Sequence, residues 1–521
     1  MSITEYLFHP LAWRSYLISG SSVLALIVCA IIAFQGLKRQ KVSMPPSPSG
    51  LPVFGNIFQI PLKFQWYRFT EWKNIYGPIF SLHIPGKTIV VLNNHKIAHD
   101  LLVLRSDIYS DRTQLSMVNL MTNKFAMPVM PYGERWKRMR QIAHTNLNVA
   151  AVKKYRLFHE REAQNLVQNI LQDPISWNAH FTRSISSAVR SSVYGLPSMN
   201  SNQDPAISEI SGFLEDVIHM CLPFSNAIDI FPALELLPMW MSKWKKIGKR
   251  SFDKSTALFR KYLAYTRDNI DTEEVQASVG ANVLAAETED KLPEIETVWL
   301  AGLLLTAGIH TTISSLSVFM LAMCLYPNIQ KRAQEEIERV VGRGRLPRLD
   351  DDLPYIHCLV AETLRWFPVG PIGLPRRCEK DNYYNGYLIP EDSIIIPNIW
   401  AMNRDKDIYG SDAESFLPDR FLDEMDQPSF QFQDAKQHGH NTFGFGKRIC
   451  IGLNMANQSL FINMASILWA FNISNAETLN GQPITSFERN FVKDDGITAQ
   501  PMPFKCKISP RKAVIDVMSD I

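Results

Sequence analysis

Phe443-Gly444-Phe445-Gly446-Lys447-Arg448-Ile449-Cys450-Ile451-Gly452 sets one cysteine in a glycine-framed loop and reads F-x-x-G-x-R-x-C-x-G. Downstream, Leu460, Phe461, Met464, Leu468 and Phe471 follow helical spacing, which puts Cys450 just ahead of a helix N-terminus. Free amides and the helix dipole at such an end favour an anion, and so a thiolate over a thiol. Phe443 can pack beside the sulfur and keep water away. Gly446 and Gly452 let backbone approach something flat and large, and Arg448 offers a cation to an acidic group on the same object. Thiolate, flat ligand and acid-binding arginine together suggest haem b held by Cys450, with Arg448 on a propionate. Ligation of this kind donates electron density that favours O–O cleavage. The competing reading is a buried structural cysteine in a Gly-rich turn, but five fixed positions in ten residues rarely arise by chance.

On these residues the chain resembles the cytochrome P-450 family. The resemblance runs from about residue 45 to the C-terminus and implies a mainly α fold with a small β region, the haem-thiolate fold, behind an N-terminal transmembrane helix. The implied activity is reductase-dependent monooxygenation of an apolar small molecule, with O2 and electrons from NADPH.

Composition agrees with one large enzyme domain plus a leader. The chain has 521 residues, 46% of them hydrophobic. Fifty-four basic residues against 51 acidic ones leave a net charge of +3, which gives no sign of nucleic acid. The seven cysteines are odd in number and form no C-x-x-C pair, which argues for a reducing compartment.

Tyr16 to Phe34 is an uncharged apolar run of 19 residues, near the ~20 that span a bilayer. It lacks a clear cleavage site, and Lys38, Arg39 and Lys41 follow it, so the body is expected in the cytosol. The expected division is a signal anchor over 1–41 with its span at about 16–34, a proline-rich hinge over 42–56, and a haem-thiolate domain over 57–521. The corresponding location is the endoplasmic reticulum membrane, single-pass.

Further motifs follow in order. Runs 78–84 and 87–93, split by Pro85-Gly86, read as a hairpin, and 97–107 reads as helix. Trp136 and Arg140 share one face of the helix that begins near Tyr132. The resemblance puts this pair on a propionate and leaves Arg135, Lys137 and Arg138 as a basic patch for an acidic NADPH-cytochrome reductase, with cytochrome b5 as a second possible donor. Residues 151–280 read as mostly helical, 213–244 as a flexible roof that meets membrane lipid, and 276–292 as loop.

Pro293 to Tyr326 reads as one long helix of about 50 Å, almost uncharged from Val298 to Leu325. A second membrane span is disfavoured, since it would carry His310 into lipid and separate Trp136 from Cys450. Inside it, Ala307-Gly308-Ile309-His310-Thr311-Thr312 matches the family's A/G-G-x-acid-T-T/S except at His310. By resemblance, residues 307 and 308 open a groove for O2 and Thr311 organises water there. His310 can relay protons, contact substrate or merely pack.

Glu362 and Arg365 lie one helical turn apart, and the resemblance closes a buried network through Arg420. It also puts Arg376 on a propionate, lines the substrate pocket with 369–374, and brings the tip of a hairpin over 495–504 to the active site. Pro397 to Met402 looks like fungal microsomal members that tailor secondary metabolites. Two other functions compete: an O2-independent haem-thiolate isomerase or dehydratase, against which Thr311 counts, and a non-catalytic haem-binding membrane protein.

Overall fold

The computed structural model describes residues 43–221, 228, 232–288, 291–423, 439–511 and 514. The expected span at 16–34 lies outside them. Along the chain come helix α1 (Gln65–Tyr76), strands β1 (Ile79–Ile84), β2 (Lys87–Leu92) and β3 (Asp111–Arg112), then helices α2 (Glu134–Leu147), α3 (Arg156–Gln172), α4 (Trp177–Tyr194), α5 (Pro205–Cys221), α6 (Lys243–Asp268), α7 (Val279–Thr288), α8 (Glu294–Leu325), α9 (Pro327–Val340) and α10 (Pro354–Trp366). Strands β4 (Arg376–Arg377) and β5 (Ile394–Pro397) follow. Helix α11 (Leu453–Ala470) and strands β6 (Phe471–Thr478), β7 (Val492–Asp494), β8 (Ala499–Pro501) and β9 (Phe504–Pro510) complete the fold. It is mainly helical with a small sheet region.

Helix α8 is the axis of the core. Its mean hydropathy reaches 1.6 over a window that is 67% buried, which marks a core helix rather than a membrane span. Proline sets its C-terminal limit: Tyr326, before Pro327, is forced out of helix, and Pro327 opens α9 at its first turn. Close packing explains two glycines. A Cβ at Gly302 would lie 2.2 Å from the Phe259 ring on α6, and one at Gly308 would lie 3.3 Å from Val189 on α4. Residues 276–292 are not simply loop as expected. Val279, Val283 and Ala286 recur at helical spacing and are buried, so α7 forms against α8.

The main sheet has the order β1-β2-β5-β4-β3, with β2 and β5 parallel and the other pairs antiparallel. Gly86, at φ +74°, makes the expected turn between β1 and β2. The proline-rich stretch is held against this sheet: Ser81 N–H donates to Pro46 O and Ser81 Oγ to Pro45 O, both at 2.8 Å. The stretch read as helix over 97–107 is broken. A helix at His95–His99 passes into a π turn over Asp100–Leu104, then a short helix at Ser106–Tyr109. The C-terminal hairpin is β7–β8, so its turn falls at residues 495–498, near the start of the stretch expected to form it.

Behind the core, Glu362 and Arg365 of α10 are both fully buried and paired. Arg365 Nε donates to Glu362 Oε2 at 2.6 Å and Nη2 to Oε1 at 2.8 Å. Arg420 Nε adds a bond to Oε1 at 3.3 Å. Arg365 Nη1 is satisfied by the carbonyls of Asn403 at 2.6 Å and Ala413 at 2.7 Å, so the network ties α10 to the chain beyond β5. Removing one partner strands a buried charge. Glu362→Gln is expected to lower unfolding free energy by about 3–5 kcal/mol. A urea midpoint equal to the parent's would refute this account.

Candidate active site

Cys450 lies in the loop before α11, whose first helical residue is Leu453 with Gly452 as its N-cap. The loop folds back so that the Cys450 N–H donates to Phe443 O at 2.8 Å. Cys450 keeps accessible surface although protein surrounds it, so that surface belongs to the interior of the molecule. Burial pushes the thiol up from its usual range. The Gly452 N–H and then Arg140 pull it back without prevailing. The helix end therefore favours the thiolate as expected, but desolvation outweighs it. Among the described residues no cluster of three or more His, Cys, Asp or Glu could hold a metal ion. A lone thiolate suits a metal that brings its other ligands in a macrocycle.

The two motif glycines have different reasons. At Gly446, φ is +54° and a Cβ would meet Leu102 O at 2.2 Å. That close approach is to the π turn, not to a flat ligand as expected. Gly452 has open space where a Cβ would project. The Phe443 ring lies 5.4 Å from that of His440, while Phe445 is fully buried beneath the loop.

Four arginines converge here: Arg112, Arg140, Arg376 and Arg448. Pairing of β3 with β4 sets Arg112 opposite Arg376. Arg376 Nη2 donates to Phe445 O at 2.6 Å, inside the cysteine loop. Arg448 Nε donates to Ser110 O at 2.7 Å and Nη2 to Met130 O at 2.8 Å. Its guanidinium also stands 4.2 Å from the centre of the Trp136 ring. Arg140 shares that ring at 5.4 Å and donates to Ile449 O at 2.7 Å.

Among the described residues, no carboxylate forms a salt bridge with any of these four; the nearby Asp111 pairs with Arg377 instead. Burial first, and repulsion by neighbouring guanidinium groups second, push Arg112, Arg376 and Arg448 down to about 9. They remain cations at neutral pH, and their hydrogen bonds go to carbonyl oxygens. Such a cluster fits a ligand carrying two carboxylates, as haem b does.

The central helix presents an open stripe. Ala307 and Thr311, four residues apart, are exposed within an otherwise buried helix, and Thr311 Oγ1 donates to Ala307 O at 2.9 Å. Gly308, three residues before Thr311, is half-buried, and a Cβ there would press on Val189 at 3.3 Å. His310 is half-buried, its Nδ1 enclosed without a hydrogen-bond partner. Burial lowers its proton affinity, while Asp495 raises it and Lys493 lowers it further.

The expected basic patch on α2 stays half-exposed at Arg135, Lys137 and Arg138, although each has an acidic partner. Arg138 Nη2 and Arg135 Nε both bind buried Glu296 of α8, at 2.7 and 3.2 Å, and Lys137 pairs with Glu134 at 2.7 Å. Glu296 sits opposite that helix face and needs neutralising. Arg112 went unforeseen, since Asp111-Arg112 carries no sequence signal and only the β3–β4 register puts it beside Arg376.

The arginine cluster sets opposite signs for the two forms of the protein. Arg112→Leu removes a repelling buried cation, so the apoprotein should gain stability. Loaded with haem, the variant should release it to an acceptor protein about 10–100-fold faster, the weight of one charge-assisted hydrogen bond. Release at the parent rate would remove Arg112 from the ligand cradle.

The family model for cytochrome P450 matches residues 45–507. Cytochrome P450 monooxygenase 58 of Postia placenta is 41% identical over 505 residues, 96% of this chain and 95% of that protein. A cytochrome P450 monooxygenase of Armillaria gallica is 39% identical, covering 94% of each chain. Cytochrome P450 monooxygenase iboC of Amanita muscaria is 30% identical, over 93% of this chain and 94% of its own. The accessible cysteine, the carboxylate-free arginines and these likenesses over nearly the whole chain agree: this protein belongs to the cytochrome P450 family of haem-thiolate oxidoreductases.

Proposed function

We propose that the chain is a membrane-anchored monooxygenase of the endoplasmic reticulum with its catalytic domain in the cytosol. It oxidises an apolar small molecule in secondary metabolism. Electrons come from NADPH through NADPH-cytochrome reductase, with cytochrome b5 as an auxiliary donor. The observation that carries the reading is an accessible Cys450 amid buried arginines that lack carboxylate partners. Haem held there supplies reductive activation of O2 and cleavage of the O–O bond.

The chain's own residues do the rest. Cys450 would ligate the haem iron through its thiolate, whose charge the Gly452 N–H and Arg140 favour. Arg112, Arg140, Arg376 and Arg448 would hold the two propionates, and Trp136 braces the Arg140 and Arg448 guanidinium groups. Thr311 keeps a hydroxyl at the open stripe, where it positions water and passes protons. His310, one residue back, relays protons to it as a neutral imidazole that accepts at one nitrogen and donates at the other. Val369 and Ile372 border an apolar pocket, and apolar substrates enter it from the membrane side.

Membrane contact is supported by exposed apolar side chains in two segments. Phe58 and Leu62 are 72% and 70% exposed, shortly after the expected anchor. Leu236 and Trp240 are 87% and 75% exposed, within the expected roof. The reductase meets the face of α2, where Arg135, Lys137 and Arg138 keep 48%, 49% and 40% of their side chains exposed despite their ion pairs.

Thr311 favours oxygen activation over the O2-independent isomerase or dehydratase. Reconstituted with reductase, the protein should consume O2 and NADPH in a substrate-dependent way, and product formed without either would support the rival. Cys450→Ala should abolish the thiolate-type absorption of the reduced carbon monoxide complex. Retention of that band in the variant would overturn the ligand assignment.

A further inference from the structure

Helix α6 carries its charge unevenly. Between Lys243 and Lys254 it holds six cations and one acid, Asp253. Cations in its second half have partners: Arg260 pairs with Glu294 at 2.8 Å, Lys261 with Glu209 at 3.1 Å and Arg267 with Glu287 at 3.3 Å. In the first half, Lys243, Lys246, Lys249 and Arg250 are exposed, and none forms a salt bridge among the described residues. Lys243, Lys246 and Arg250 follow one another at spacings of three and four, so they share a face. Ile247, 40% exposed, lies beside them. No acid occupies the first turn. Lysines there oppose the helix dipole, so their placement does not serve the helix.

An apolar surface adjoins this stripe. Leu236 and Trp240 are 87% and 75% exposed, and Met241, just ahead of α6, is 51% exposed. The segment that bears them is tied to the helix. Lys245 Nζ donates to Glu235 O and Leu237 O, both at 2.7 Å, and Ser242 Oγ donates to Pro238 O at 2.9 Å. Exposed apolar side chains and unpaired cations are thus held side by side. That pairing suits the boundary of a bilayer, where acyl chains take the apolar groups and anionic headgroups take the cations. A water-facing acidic protein surface would offer partners to the cations but none to Leu236 and Trp240.

We propose that the first half of α6 is a recognition site for anionic lipid headgroups, of the phosphatidylserine class, on the cytosolic leaflet. This deepens the membrane contact proposed above and rests on it. Lys243, Lys246 and Arg250 lie at headgroup level, while Leu236, Trp240 and Met241 enter the acyl boundary. The charge of the lipid, and not apolar contact alone, then decides how closely this face of the catalytic domain lies on the bilayer.

The test places the full chain in nanodiscs of brominated phosphatidylcholine, with or without phosphatidylserine. Fluorescence quenching that is present in the parent and lost in Trp240→Phe reports Trp240 alone. Phosphatidylserine should deepen that quenching, and added salt should reverse the gain. Each cation near an anionic surface is worth about fivefold in the ratio of engaged to free protein. Lys243→Gln, Lys246→Gln and Arg250→Gln together should therefore lower that ratio about 100-fold, so that the triple variant is quenched equally in both lipids. Lys243→Arg with Lys246→Arg, which keeps the charge, should behave as the parent. All three side chains are exposed, and an unchanged spectrum of the reduced carbon monoxide complex checks that the variants fold.

Equal quenching of the parent with and without phosphatidylserine, or a phosphatidylserine response kept by the triple variant, overturns the headgroup assignment while the membrane contact stands. If the lipid has no effect and the triple variant instead loses affinity for the reductase, the stripe belongs to an acidic protein. If Trp240 is quenched in neither lipid, the contact itself fails and takes this inference with it.

Discussion

Buried positive charge without a matching carboxylate is the constraint on which this active site is built. Arg112, Arg376 and Arg448 are desolvated and repel one another, yet the hydrogen bonds they make are to carbonyl oxygens. Taking one charge out of water costs several kcal/mol after relaxation. The protein tolerates that because its ligand brings the negative charge. Ligand binding and folding are thereby coupled: the cluster that weakens the empty site is what retains the filled one.

The Glu362–Arg365–Arg420 network is the contrasting solution. There the fully buried guanidinium of Arg365 has its own carboxylate, and three backbone carbonyls complete its hydrogen bonds. Nothing is left for a ligand to satisfy, so this network serves the fold. Both sets of arginines are buried, and a direct salt bridge to a carboxylate, present in one and, among the described residues, missing in the other, separates the structural set from the ligand-binding set.

The loop geometry joins these parts. Arg376 reaches the carbonyl of Phe445, and Gly446 sits against Leu102 of the π turn. The π turn thus braces the cysteine loop from below, leaving Cys450 accessible above. Along the middle of α8, Ala307 and Thr311 stay exposed while Gly302 is taken up in helix packing. A single helix therefore serves as core on most faces and as site wall on one.

Much of this was legible in the chain itself. The cysteine loop, the α8 run ended by Pro327, the Trp136–Arg140 pair and the Glu362–Arg365 turn all depend on short-range spacing, and short-range spacing is what a sequence displays. Helix α7 was hidden because its apolar stripe of Val279, Val283 and Ala286 is diluted by small and polar residues. Arg112 and the engagement of Arg135 and Arg138 by Glu296 could not be read at all. Each joins residues 150 or more positions apart, or rests on strand register, and only the folded chain sets such distances. Sequence determined which side chains could ligate, pair and cap. Tertiary structure decided which charges find a partner inside the protein and which are left for a ligand, because compensation depends on neighbours in space.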